Sequence, residues 1–267
     1  MGKAEDLLAT VLPEERRLQV AALLRRDTRV RVEELADRFA VSGETIRRDL
    51  KVLEDRGVAR RVYGGAVATD GGWLRSEDLH DARRAQRAIA SAAASLVEPG
   101  ETVMLGLGSL VTETARALPS SFAGRALCAS VPAATVLAAR PGIEVHLAGG
   151  LLRRPDLACT DDSAERFFDR FFARRAFLAA DGLDPRAGLT CAHLEEVPVH
   201  RALIRQAAEC YVLADAPKLG TVAVGRVAGL AELAGIITDD AADPDLVQAL
   251  EHGGARILIA PQVPRSG

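Results

Sequence analysis

No stretch of eighteen apolar residues occurs in this chain, and that absence excludes a membrane-spanning helix from the reading. The charged-then-apolar succession of an N-terminal signal is also missing, so the expected compartment is the cytoplasm. Cysteines are few: Cys128, Cys159, Cys191 and Cys210 lie far apart with no Cys-x-x-Cys pair, which predicts buried, reduced thiols. His193 and His200 flank Glu195-Glu196 without a familiar zinc spacing, and neither a metal nor another cofactor is expected. There is no internal repeat and no low-complexity block. Aromatic residues make up 4% of the chain, but 48% of its 267 residues are hydrophobic, ample for the cores of a soluble globular protein of two domains. Lysine is the scarcest charge, present only as Lys3, Lys51 and Lys218 in a chain that otherwise uses arginine.

What is present is most informative between Ser42 and Glu54. Ile46, Leu50 and Leu53 recur at i, i+4 and i+7 and form an apolar stripe, while Glu44, Arg47, Arg48 and Lys51 fall on the opposite side. Ser42 is a good N-cap. Upstream, Val32, Leu35, Ala36 and Phe39 mark a second short helix, and only Ala40-Val41 separate it from the cap. A further helix over Glu14 to Arg26 starts after Pro13. Gly57 ends the third helix, and Val58 to Val67 read as a basic hairpin turning at glycine. Three helices and a hairpin in this order make an α+β winged helix-turn-helix over residues 13–67. Ser42, Thr45, Arg47, Arg48 and Lys51 on the helix, with Arg60, Arg61 and Tyr63 on the wing, are the expected contacts to double-stranded DNA. Asp49 is expected to pair with a neighbouring arginine. Residues 13–67 hold thirteen Lys/Arg and ten Asp/Glu, a balance of +3 in a chain of net −3, so the remainder carries −6. So modest a positive charge predicts weak binding by a monomer and a need for a dimer spanning two half-sites.

Four blocks carry a resemblance. Glu15-Arg16-Arg17, Val32-Glu33-Glu34-Leu35-Ala36, Ser42 to Leu50, and Val62-Tyr63-Gly64-Gly65-Ala66 resemble the N-terminal module of the DeoR family of bacterial repressors. In that family the Thr-Ile-Arg-Arg-Asp-Leu segment belongs to the recognition helix. One departure is Arg31, where the family usually has a Ser or Thr able to cap the second helix.

Residues 68–80 include the polar, glycine-bearing Thr69 to Ser76 and read as a linker, with Trp73 free to pack on either side. From there to residue 262, helical stretches (about 81–97 and 111–118 among them) alternate with short apolar runs. Those runs are 102–105, 126–130, 144–147, 175–180, 211–214, 235–238 and 256–260. Buried strands separated by helices imply an α/β domain with a mainly parallel sheet, whose ligands bind beyond the carboxyl ends of the strands. The candidate effector residues therefore lie in the loops: Gly106, Gly108 and Ser109; Ser130; Gly149 and Gly150; Asp181; and Asp215 with Lys218. Lys218, the domain's sole lysine, suggests a need for a compact ammonium.

This region also resembles the DeoR-family sensor, through Val145 to Gly150, Gly182-Leu183-Asp184, Gly188-Leu189-Thr190, Leu213 to Gly220 and Ile237-Thr238-Asp239. The resemblance implies a fold similar to ribose-5-phosphate isomerase. It also implies a small effector, typically a phosphorylated sugar, that alters operator binding, and a homodimer or homotetramer without catalytic residues. An isomerase-like enzyme carrying a DNA-binding module is the alternative. Departures concentrate at the loops: Gly106-Leu107-Gly108-Ser109-Leu110 replaces Asp-Ser-Gly-Thr-Thr, Cys128-Ala129-Ser130 replaces Thr-Asn-Ser, and His200 stands for a common Lys. Each removes polar contacts that a sugar phosphate would use.

Overall fold

The computed structural model describes residues 13–27, 29–55, 59–68, 76–154 and 156–261. Gly57, the segment 69–75 with Trp73, and the side chain of Arg60 lie outside the described residues. The chain divides into two compact units, the boundary falling between Ser76 and Glu77.

The first unit runs α1 (Pro13–Asp27), β1 (Arg29–Arg31), α2 (Val32–Phe39), α3 (Gly43–Asp55), β2 (Ala59–Val62) and β3 (Gly65–Ala68). The stripe read from the sequence is its core: Ile46, Leu50 and Leu53 are buried with Val20, Leu24, Leu35 and Phe39. Burying each large aliphatic side chain contributes about 1.5–3 kcal/mol, which holds three short helices together where none is stable alone. The hairpin forms as expected, with β3 between β2 and β1 in an antiparallel sheet. Arg31 indeed gives α2 no side-chain cap. The Val32 N–H at the start of α2 is met instead by the carbonyl of Gly64 in the wing turn, at 2.9 Å.

The second unit begins with α4 (Ser76–Ala94), β4 (Thr102–Leu105), α5 (Ser109–Ala117), β5 (Gly124–Cys128), α6 (Val131–Ala138), β6 (Ile143–Leu147), β7 (Leu151–Arg153), β8 (Ala158–Thr160) and α7 (Asp162–Phe168). It continues with β9 (Ala173–Ala179), β10 (Gly182–Asp184), β11 (Gly188–Cys191), α8 (Val197–Gln206), β12 (Ala207–Leu213), β13 (Gly225–Ala228), β14 (Gly235–Thr238), α9 (Pro244–His252) and β15 (Ile257–Ile259). Seven strands form one parallel sheet in the order β15-β14-β12-β9-β4-β5-β6. Successive side chains on a strand point to opposite faces. Val103, Leu105, Phe177, Tyr211 and Leu213 accordingly pack with α4, α5 and α6. Met104, Ala176, Leu178, Cys210 and Val212 pack with α7, α8 and α9. Both faces are covered, which is why these strands read as unbroken apolar runs.

Two helices begin earlier than their apolar patterns: α4 starts at Ser76 instead of 81, and α5 at Ser109 instead of 111. The small antiparallel pieces β7-β8 and β10-β11-β13 are additions to the sequence reading. Among the described residues no helix is long and apolar enough to cross a membrane.

Candidate functional site

In the first unit, α3 presents what a groove-reading helix needs. The Ser42 hydroxyl accepts the Thr45 N–H at 3.2 Å, and the Ser42 and Thr45 hydroxyls lie 2.9 Å apart, so the helix start is fixed with two small polar groups outward. Arg47, Arg48 and Lys51 are exposed. Glu44 lies 3.6 Å from Arg47 and 3.9 Å from Arg48. Exposed pairs this loose contribute about 0–1 kcal/mol, so both guanidinium groups are available to phosphates or base edges. Asp49 is turned inward. Its carboxylate takes Arg16 Nε at 2.6 Å and Arg17 Nε at 3.1 Å, binding α3 to α1. The arginine partners lie in α1, not on α3 itself.

The wing divides its roles. Tyr63 stands fully exposed at the hairpin tip. Arg61, expected on DNA, is engaged by Glu54 at the end of α3 through its side chain and through its backbone N–H at 2.9 Å. These two donations hold the Glu54 carboxyl below its usual range. This contact joins the wing to the end of α3.

In the second unit the chain leaves β4 toward β5 and β6, but returns to β9 on the other side and proceeds outward through β12, β14 and β15. β4 and β9 thus flank the topological switch point, where open parallel sheets bind ligands. Every effector residue named from the sequence follows the carboxyl end of a parallel strand. Gly106, Gly108 and Ser109 follow β4, Asp181 follows β9, Asp215 and Lys218 follow β12, and Ser130 follows β5. Gly149 and Gly150 follow the edge strand β6, two strands and roughly 10 Å from β4, so they stand apart from this centre.

The glycines after β4 answer first to packing. A Cβ on Gly106 would stand 2.8 Å from Leu178, and one on Gly108, whose φ is +103°, would stand 2.9 Å from Ala179. Gly108 opens α5 without a side-chain cap, leaving the first N–H groups of that helix directed outward beside the exposed Ser109. Leu110 is buried in the core and offers no contact there. Ser130 is also buried, and its hydroxyl caps α6 by accepting the Ala133 N–H at 3.3 Å. Asp181 accepts the Ala192 N–H at 2.7 Å and so steadies the loop after β11.

Asp215 is different in kind. One carboxylate oxygen, Oδ1, is buried without a hydrogen-bond partner. Burial pushes its pKa up, the charge of Lys218 opposes that, and Asp239 adds to it. Lys218, half-buried, acts on Asp215 without a direct ion pair among the described residues. A buried acceptor and a nearby ammonium suit a ligand bearing hydroxyl groups.

A grouping of another sort lies beside Asp181. Cys191, Glu196 and His200 converge, all buried, with both ring nitrogens of His200 lacking partners. Of the four residues His193, Glu195, Glu196 and His200 that stand together in the sequence, Glu196 and His200 belong to this group, and they meet Cys191, nine positions before the histidine.

A winged helix-turn-helix head and an α/β body built on a parallel sheet define a transcription regulator of the helix-turn-helix class. Residues 16–71 match the DeoR-like helix-turn-helix domain and residues 81–240 the DeoR C terminal sensor domain, and the chain belongs to the DeoR family. It is 32% identical over 253 residues to the HTH-type transcriptional regulator GlpR of Haloferax volcanii, covering 93% of this chain and 98% of that one. It is 28% identical to a putative aga operon transcriptional repressor of Escherichia coli O157:H7, over 92% of this chain and 93% of the relative. Among solved structures it is similar to ribose 5-phosphate isomerase A from Methanocaldococcus jannaschii, at 20% identity and a TM-score of 0.37, covering 50% of this chain and 52% of that one. The last similarity is too distant to bear on function.

Proposed function

We propose that this chain is a repressor acting in the cytoplasm as a dimer or tetramer. A small hydroxylated metabolite, related to the sugar phosphates, binds at the carboxyl ends of β4, β9 and β12 and changes operator affinity. The observation that carries the effector reading is Asp215. Its Oδ1 is buried and unpartnered, with Lys218 close enough to act on its charge, and leaving such an atom unmet costs about 1–3 kcal/mol that a ligand hydroxyl would recover. The uncapped start of α5 at Gly108-Ser109 supplies N–H donors on the neighbouring strand pair. Repression accords with the naming of the aga operon relative. In the head, Ser42, Thr45, Arg47, Arg48, Lys51 and Tyr63 contact DNA, while Arg61 positions the wing.

We read the chain as a regulator and not an isomerase, because both of its domains match the DeoR family and its relatives are named as transcriptional regulators. Turnover of a sugar phosphate, abolished by Lys218→Ala, would overturn that reading. The direct test is thermal unfolding of the full chain against paired phosphorylated and unphosphorylated sugars and polyols. A ligand at 100 times its Kd adds about 2.7 kcal/mol of stability and raises the midpoint. The expected result is a shift with one ligand class that Asp215→Asn and Lys218→Met both abolish. A shift that survives both substitutions would place the ligand elsewhere.

A further inference from the structure

Three donors of different chemistry meet where β11 hands over to α8. Cys191 is the last residue of β11. Glu196 ends the short turn Leu194–Glu196 and stands at the start of α8 without capping it, and His200 lies four residues further, on the same face of the first helical turn. The Sγ, carboxylate oxygen and imidazole nitrogen that these residues offer all lie within 4.8 Å of one another. Their exposures are 1%, 6% and 1%.

His200 is the anomaly. A neutral imidazole carries one donor and one acceptor. Both nitrogens here are buried with no hydrogen-bond partner. A buried polar group left unmet is costly, and burial of two on one ring implies that something else meets at least one of them. The surroundings suit a cation. The Glu196 carboxylate is held at one oxygen by Arg153, as ligating carboxylates commonly are. Asp181 sits near enough that its charge acts on Cys191, Glu196 and His200 alike. Arg153, the one positive group acting on both Glu196 and His200, is itself balanced by Asp156 and Glu195.

We propose that Cys191, Glu196 and His200 bind one divalent ion of the zinc class. A thiol in the set disfavours magnesium and calcium, and mixed S, N and O donors suit a four-coordinate borderline metal. Bonds of about 2.0–2.3 Å place the donors of a tetrahedral ion about 3–4 Å apart, so small side-chain rotations close the present spacing. Three protein donors leave a fourth position for water or another ligand. The site is independent of the effector reading, because it is defined by its own donors and read out by its own spectrum.

The experiment uses the full chain, stripped with chelator and titrated with cobalt(II). The expected result is uptake of one ion per chain, a thiolate-to-cobalt charge-transfer band and the intense visible bands of four-coordinate cobalt, all displaced by zinc. Cys191→Ser removes the charge-transfer band, and His200→Ala weakens uptake at least about ten-fold. Cys210→Ser, at a buried thiol on the sheet, leaves the spectrum unchanged. Should a variant fail to fold, the wild-type spectrum decides. Folded wild-type chain without the charge-transfer band, or a band that persists in Cys191→Ser, would overturn the site.

Discussion

Asp49→Ala should loosen the DNA-binding head far more than any substitution on its outer face. The Asp49 and Arg16 side chains are 6% and 5% exposed and meet at 2.6 Å, with Arg17 at 3.1 Å and 21% exposed. Removing one partner of a buried ion pair costs about 3–5 kcal/mol, because the remaining charge stays out of water. The lower end, about 3 kcal/mol, applies here, since Arg17 is partly solvated and both arginines keep further interactions. A module of this size has a total stability of only about 3–8 kcal/mol at roughly 0.05–0.15 kcal/mol per residue. The loss is therefore a large fraction of what holds α1 against α3. Amide hydrogen exchange on peptides from α1 and α3 reads it directly: 3 kcal/mol corresponds to roughly a hundredfold faster exchange. Glu44→Ala, which breaks only exposed pairs, should change exchange by less than about fivefold. Replacing both partners, Arg16→Met with Asp49→Leu, should restore much of the protection. Equal effects of Asp49→Ala and Glu44→Ala would mean that the buried pair is no better than a surface one.

Other outcomes follow from the second unit. Asp215 has its pKa raised by burial, so its protonated form stabilises the fold at acid pH. That contribution is lost as pH rises from the ordinary value of 3.8 through the raised one. Asp215→Asn should therefore raise the unfolding midpoint of the ligand-free chain at neutral pH while abolishing the effector shift, as scanning calorimetry would show. A lowered midpoint would mean that the carboxylate is stabilising as it stands. The four cysteines are buried, with the Cys128 and Cys210 thiols both pushed up to about 12. A thiol reagent at mild alkaline pH should find no fast-reacting group in the native chain and four after unfolding. A fast native thiol would contradict this packing.

The elements legible in the sequence are those whose burial is periodic. The stripe Ile46, Leu50, Leu53 gave α3 its direction, and the apolar runs of the parallel strands gave the sheet because both faces are covered. β12 shows where the pattern ends: the run read from the sequence starts at Tyr211 and full burial at Cys210, yet pairing with β9 extends the strand back to Ala207 through Ala208 and Glu209. There the backbone ladder and the Arg174–Glu209 contact do the ordering, and neither leaves a hydrophobic signature. β1, β10 and β11 have three or four residues each, too few for a period. For contacts closed by distant folding the partner was not readable: an arginine is expected beside Asp49, but nothing in the sequence says that it comes from α1. Asp49 finds Arg16 across 33 positions, and Arg61 meets Glu54 from the far side of the turn into the wing. At the sensor site, strand-end loops were identifiable because parallel strands all expose their carboxyl ends on one edge. The meeting of Cys191 with His200 depends on the turn at Leu194–Glu196, which no spacing rule describes.

The outer face of α3 is proposed to read DNA sequence. The measurement that tests it most directly is selection of bound duplexes from a random library by the wild-type chain and by Arg47→Ala. The wild type should enrich paired half-sites, with base preference relaxed at particular positions in Arg47→Ala at a cost of about 1–3 kcal/mol. Failure of the wild-type chain to enrich any sequence would contradict it.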